Sequence, residues 1–135
     1  MKDGSLLDSI CEISDVSDLI NKEEIFINIL AEAIRYKLDI TSGDIEESEK
    51  RLYLNFGHTF AHGIEATTNF SNKINHGEAV LVGMFLATKI SKLKKLCSSS
   101  TLNKIENLYK KNNLPSSLKK YSLNNKINKI TGYMR

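Results

Sequence analysis

"LNFGHTFAHGIE" (Leu54–Glu65) carries two of the chain's three histidines, four residues apart, behind a glycine and in an otherwise apolar stretch. The third follows in "INHGEAV" (Ile74–Val80). On an α-helix, residues i and i+4 project from one face, so a helical reading turns His58 and His62 the same way. That spacing suits two ligands for one divalent ion, or one ligand beside one acid/base. His76 starts the next helix, after a loop long enough to fold back. Imidazole suits zinc, and a catalytic zinc takes three protein ligands and keeps a position open. Three histidines, or two histidines and a carboxylate, meet that need. The bland alternative is a pair of core histidines, because an i,i+4 pair without an intervening glutamate is only modestly specific. The neighbours favour the metal. With one helix from Leu52 to about Thr67, Arg51, Asn55, His58 and His62 fall at positions 0, 4, 7 and 11 of one stripe. A cation, an amide and two imidazoles pack a core poorly. They suit a small anionic, hydroxylated ligand beside a metal, with Arg51 offering a bidentate fork to carboxylate or phosphate.

Outward from this stretch the chain reads as all-α. It has one proline and no sustained alternation of apolar and polar residues. "NKEEIFINILAEAIRYK" (Asn21–Lys37) puts Phe26, Leu30, Ala33, Ile34 and Lys37 on one face, with Asn21 as N-cap and Glu23 and Glu24 in the favoured first turn. "TSGDIEESEK" is a polar connector. Gly57 is a small residue at a crowded spot, and "TTNFSNKIN" is a loop. Gly77 to about Leu96 is a long helix, apolar on nearly every side through Ala87, and so the centre of the bundle. Ser100 or Thr101 caps a further helix ending near Asn112, and Pro115 begins a short last segment. Glu78 reads as first-turn helix stabilisation, and Glu65 as a residue behind the metal ligands or on the surface. There is no Gly-rich phosphate loop and no strand–glycine–helix unit for a dinucleotide.

The 135 residues are enough for one domain. With 41% apolar and 26% charged residues, the composition is that of a soluble globular chain. No apolar run reaches the roughly 18 residues of a membrane span. The N-terminus lacks a signal-peptide core, so the expected address is cytoplasmic, with Cys11 and Cys97 as reduced thiols. The net charge of +3 hides an asymmetry. Residues 1–50 hold 13 of the 16 acids, whereas from Lys89 onward there are 12 basic residues and one acid, Glu106. These lysines are scattered at helical spacing without an arginine cluster, so a solvated helical surface is expected rather than a nucleic-acid partner.

"RLYLNFGHTFAHGIE" followed by "HGEAVLVGM" closely resembles the signature of the 3-dehydroquinate synthase family, within the wider sugar-phosphate cyclases. The likeness extends through "AEAIRYKLDITSGDIEESEKR", "SKLKKL" and "NNLPSSL". It covers the C-terminal helical half of the family's protein. The resemblance implies conversion of 3-deoxy-D-arabino-heptulosonate 7-phosphate to 3-dehydroquinate in the shikimate pathway, with catalytic NAD and a zinc (or cobalt) ion. A transient oxidation acidifies the neighbouring C–H, phosphate leaves, and the ring re-closes on carbon. It also implies roles for particular residues. His58 and His76 resemble two of three metal ligands. His62 and Glu47 resemble proton-transfer residues. Lys2, Lys37, Arg51 and Asn55 resemble the groups that bind the phosphorylated sugar acid.

Four departures accompany the likeness. The family's N-terminal α/β domain, which holds NAD, has no counterpart in these residues. The third metal ligand, a glutamate three before the lysine that Lys2 resembles, falls ahead of Met1. The chain stops at Arg135, short of an Asp-Lys-Lys segment. A fragment truncated at both ends is therefore expected, inactive alone and exposing the face that meets the NAD domain. Ala61 stands where many members have glycine, a change of one methyl. A homodimer is common in the family. The competing readings are another sugar-phosphate cyclase and a non-catalytic helical remnant.

Overall fold

The computed structural model describes residues 5–13, 21–42 and 49–134. Among them the chain forms α1 (Ser5–Glu12), α2 (Glu23–Thr41), α3 (His58–Thr67), α4 (His76–Leu93), α5 (Ser99–Lys111) and α6 (Ile127–Gly132). Short 3-10 segments cover Glu49–Asn55, Leu118–Tyr121 and Asn124–Lys126, and the described residues contain no strand. The fold is all-α, as the sequence predicts.

The apolar run of α4 makes it the central helix. It packs against α3 on one side and α5 on another, and α6 closes over α3. Ala79, Val82, Gly83, Phe85 and Thr88 of α4 are buried, together with Ala61, Ile64, Ile74, Tyr121, Leu123 and Ile130. Ala61, the departure from glycine, is fully buried in this core, so its methyl has been given a place. Phe85 packs against Tyr109 of α5, the rings tilted at 42° with centroids 5.0 Å apart. The Tyr109 hydroxyl donates to the Leu81 carbonyl at 2.7 Å, which ties α5 to α4.

Two capped starts fix where helices begin. Asn75 and Glu78 form a capping box: Asn75 Oδ1 accepts from the Glu78 N–H at 2.9 Å, and Glu78 Oε2 accepts from the Asn75 N–H at 3.3 Å. This is the helix-stabilising role expected of Glu78. The Asn75→Ala variant is expected to lose about 1 kcal/mol in a denaturant titration. The cap of α5 is Ser98, not Ser100 or Thr101: its hydroxyl accepts from the Thr101 N–H at 3.0 Å. The cap lies two or three residues earlier than the sequence pattern suggests, because any of the serines in this run satisfies that pattern. At α2 the cap position belongs to Lys22 rather than Asn21, with no side-chain cap bond.

The expected helix from Leu52 to Thr67 is broken. Glu49–Asn55 is 3-10, Phe56 and Gly57 turn, and α3 starts at His58. Gly57 has φ 87°, which an α-helix interior does not allow and which glycine adopts freely. The turn seats Gly57 on Gly83. A Cβ on Gly57 would lie 2.5 Å from the Met84 nitrogen, and one on Gly83 would fall directly on the Gly57 oxygen. Backbone meets backbone here, which confirms the crowding expected at Gly57.

α2 departs from expectation in another way. None of its residues is buried. Phe26, Leu30, Ile34 and Leu38 form an i,i+4 ladder that is 47–56% exposed, because within the described residues α2 meets chiefly α1 and the first 3-10 segment. α1, which the sequence pattern did not reveal, links α2 to α5 through an ion pair between Asp8 and Lys104 at 2.5 Å.

Burial pushes the Tyr109 hydroxyl up to about 12. Burial, then the adjacent Glu78 carboxylate, do the same for Tyr121. The folded values lie above the ordinary 10.0, so the folded state holds these protons more tightly than the unfolded chain does. Their contribution to stability is complete below pH 10 and is lost as pH rises toward 12. Tyrosinate absorbance from these two side chains is expected to appear together with loss of helical circular dichroism. Titration of both near 10 with helicity intact would contradict this packing.

Candidate metal and substrate site

All three histidines meet at one place. His58 and His62 lie one turn apart on α3, with ring centroids 5.8 Å apart and edge to face. His76 opens α4, and its centroid lies 5.6 Å from that of His58. The loop from Thr68 to Asn75 returns the chain sharply enough for this, with Asn69 and Phe70 in the left-handed region at φ 52° and 53°. His58 is half-buried, and its Nδ1 is buried with no hydrogen-bond partner. A buried, unpaired polar nitrogen costs about 1–3 kcal/mol and is well matched to a Lewis acid or a further donor. His62 and His76 are exposed.

Glu65 joins the cluster. At i+7 from His58 it lies on the same face of α3. Its Oε1 stands 2.9 Å from His76 Nδ1, with the glutamate side chain 14% exposed and the imidazole 58% exposed. Sequence reasoning left Glu65 between a supporting and a surface role. The i+7 spacing was the available signal, but only the fold shows that α4 brings His76 to it.

The remaining candidates are more dispersed. Arg51 and Asn55 are exposed on the 3-10 segment, so the single stripe of Arg51, Asn55, His58 and His62 does not form. At three residues per turn, i and i+4 point about a third of a turn apart, and Gly57 then redirects the chain. Lys37 is exposed on α2, one turn before its end at Thr41 rather than at its last residue. α2 packs against the segment that carries Arg51 and Asn55. Lys2 and Glu47 lie outside the described residues.

The fit to a metal is therefore partial. His58 and His76 have ring centroids 5.6 Å apart, close enough to share an ion, and Glu65 Oε1 faces His76 Nδ1. Among the described residues no group of three His, Cys, Asp or Glu side chains is arranged as a complete ligand set. The fit to NAD is absent: the described residues contain neither a strand nor a glycine-rich phosphate loop. No helix among them is long and apolar enough to cross a membrane.

The model of the 3-dehydroquinate synthase C-terminal family matches residues 1–135. The chain belongs to that family. Curated relatives agree. A 3-dehydroquinate synthase of Campylobacter jejuni (strain 81-176) is 39% identical over 127 residues, which are 93% of this chain and 35% of the relative. One from Vesicomyosocius okutanii is 38% identical over 105 residues, 77% of this chain and 29% of the relative. One from Synechocystis is 35% identical over 117 residues, 86% of this chain and 32% of the relative. The chain thus spans about a third of the length of the synthases it matches. No solved structure matches it.

Proposed function

We propose that this chain is the helical, metal- and substrate-binding part of a 3-dehydroquinate synthase. The reaction is the NAD- and metal-dependent conversion of 3-deoxy-D-arabino-heptulosonate 7-phosphate to 3-dehydroquinate, with loss of phosphate. The observation that carries the reading is the meeting of three histidines from two separate sequence blocks, with the His62 and His76 ring centroids 5.8 and 5.6 Å from that of His58.

In this reading His58 and His76 would hold a zinc or cobalt ion, which would supply Lewis-acid chemistry when bound. His62, beside them and open to solvent, holds or passes a proton at an imidazole nitrogen. Arg51 forks onto a carboxylate or phosphate of the substrate, Asn55 hydrogen-bonds a hydroxyl, and Lys37 adds a positive charge from α2. Glu47 serves as a base and Lys2 as a further substrate contact. NAD finds no seat among these residues, and no step through it is derived for this chain. The exposed ladder of Phe26, Leu30, Ile34 and Leu38 is read as the face that meets the NAD domain. Free thiols at Cys11 and Cys97 suit a cytoplasmic setting.

The test is a chimera. The third of the Campylobacter relative that this chain matches is replaced by this chain, and phosphate release from 3-deoxy-D-arabino-heptulosonate 7-phosphate is followed with NAD and zinc. Release coupled to dehydroquinate formation is expected. A folded, NAD-binding chimera that releases no phosphate, or that acts instead on another sugar phosphate, would contradict the assignment.

A further inference from the structure

We infer that Glu65 is a positioning residue that fixes His76 in the tautomer needed to bind a metal through Nε2. The inference rests on the proposed metal role of His58 and His76. It adds to that role a residue that touches neither metal nor substrate.

A neutral imidazole carries one proton on either ring nitrogen, and only the other nitrogen has a lone pair for a metal. Its partner decides which. Glu65 Oε1 lies 2.9 Å from His76 Nδ1. A carboxylate only accepts, so Nδ1 must carry the proton and donate it. Nε2 is then the lone-pair nitrogen, and the ring can no longer turn freely about its χ angles. Such a carboxylate behind a metal-bound histidine sets ring orientation and raises ligand basicity.

Glu65 is itself well placed to hold still. Its side chain is 14% exposed, and it sits in the third turn of α3, whose neighbours Ile64 and Ala61 are fully buried in the core. His76 is the opposite case. It is 58% exposed at the first position of α4, where packing alone leaves the ring free. The rigid helix thus supplies the anchor and the exposed ring takes the instruction. His58, His62 and Glu65 lie on one face of one helix, so a single element aligns two imidazoles and the carboxylate that aligns the third.

The test uses the 135-residue chain without metal and then with Zn²⁺ alone. In mildly alkaline solution, ¹⁵N imidazole NMR of the wild-type chain is expected to show His76 protonated on Nδ1. His76 protonated on Nε2 overturns the inference without any variant being made. Glu65→Leu is expected to shift His76 toward the Nε2-protonated form and to weaken zinc binding, measured against a competing chelator, by about 10–100-fold. Glu65→Gln, which keeps an oxygen acceptor but no charge, is expected to fall between wild type and Glu65→Leu. A purely structural glutamate would leave the tautomer unchanged in both variants. If His76→Ala weakens zinc and the Glu65 variants do not, the positioning role fails alone. If His76→Ala leaves zinc affinity untouched, the metal reading itself fails.

Discussion

Gly83→Ala is expected to disrupt the bundle at its tightest crossing. The new Cβ falls directly on the Gly57 carbonyl oxygen, with the Gly57 carbonyl carbon at 3.1 Å and Phe60 Cβ at 3.2 Å. Two of these three atoms are backbone, so no side-chain rotation relieves the clash. The approach is just as close seen from Gly57, where a Cβ would lie 2.5 Å from the Met84 nitrogen and 2.9 Å from the Gly83 carbonyl carbon. The helices α3 and α4 must separate, and they carry the fully buried Ala61, Ile64, Ala79 and Val82. Overpacking a core usually costs about 1–3 kcal/mol. A backbone-on-backbone clash at the main helix pair belongs at or above the top of that range. Against a total stability of about 5–15 kcal/mol, that is a large fall in the denaturation midpoint. Gly132→Ala is the control: nothing lies within 4 Å of its new methyl, and in the last helix a gain of up to about 1 kcal/mol is expected. Equal midpoints for Gly83→Ala and wild type would show that the crossing is not as described.

The second large effect concerns the ligands. In the chimera, His58→Ala and His76→Ala are each expected to reduce phosphate release by about 10³-fold or more. Lewis-acid polarisation is worth several kcal/mol, and each 1.36 kcal/mol is tenfold in rate. The loss is expected mainly in zinc occupancy, so raised zinc should recover part of it. His62→Ala is expected to behave differently. Its ring lies 5.8 Å from that of His58, but the proposed role is proton transfer, so activity is expected to fall by about 10²–10⁴-fold with zinc affinity near wild type. If all three variants lose zinc alike, His62 is a ligand and its assigned role is wrong.

The sequence made the helical character and the histidine cluster legible, because both rest on periodicity and spacing. The apolar run of α4 announced its central place, and Glu78 announced its stabilising role in the first turn, but the Asn75 half of the capping box was not read from the sequence. The break at Phe56–Gly57 was not legible. A glycine inside an apolar helical pattern reads as a tolerated flaw until its contact with Gly83 is known, and that contact joins residues 26 positions apart. Arg51 and Asn55 were misplaced for that reason. Glu65 was left open because its partner lies on another helix. α1 escaped notice because an eight-residue helix has too few turns to show a period. Periodicity put Phe26, Leu30, Ala33, Ile34 and Lys37 on one face of α2, but it cannot say what covers a face, and no residue of α2 is buried. The basic C-terminal half finds acidic company within the fold, through Lys104 with Asp8, Lys89 with Glu106 and Lys120 with Glu78.

The most direct test of the central claim is the zinc affinity of this chain, measured by chelator competition for wild type, His58→Ala, His62→Ala and His76→Ala. One zinc per chain is expected, weakened by at least about 100-fold in the His58 and His76 variants, beyond the loss typical of a residue behind the ligands, and little changed in His62→Ala. No zinc bound by the wild type, or zinc bound equally by all four chains, would contradict the claim that these histidines gather to hold a metal.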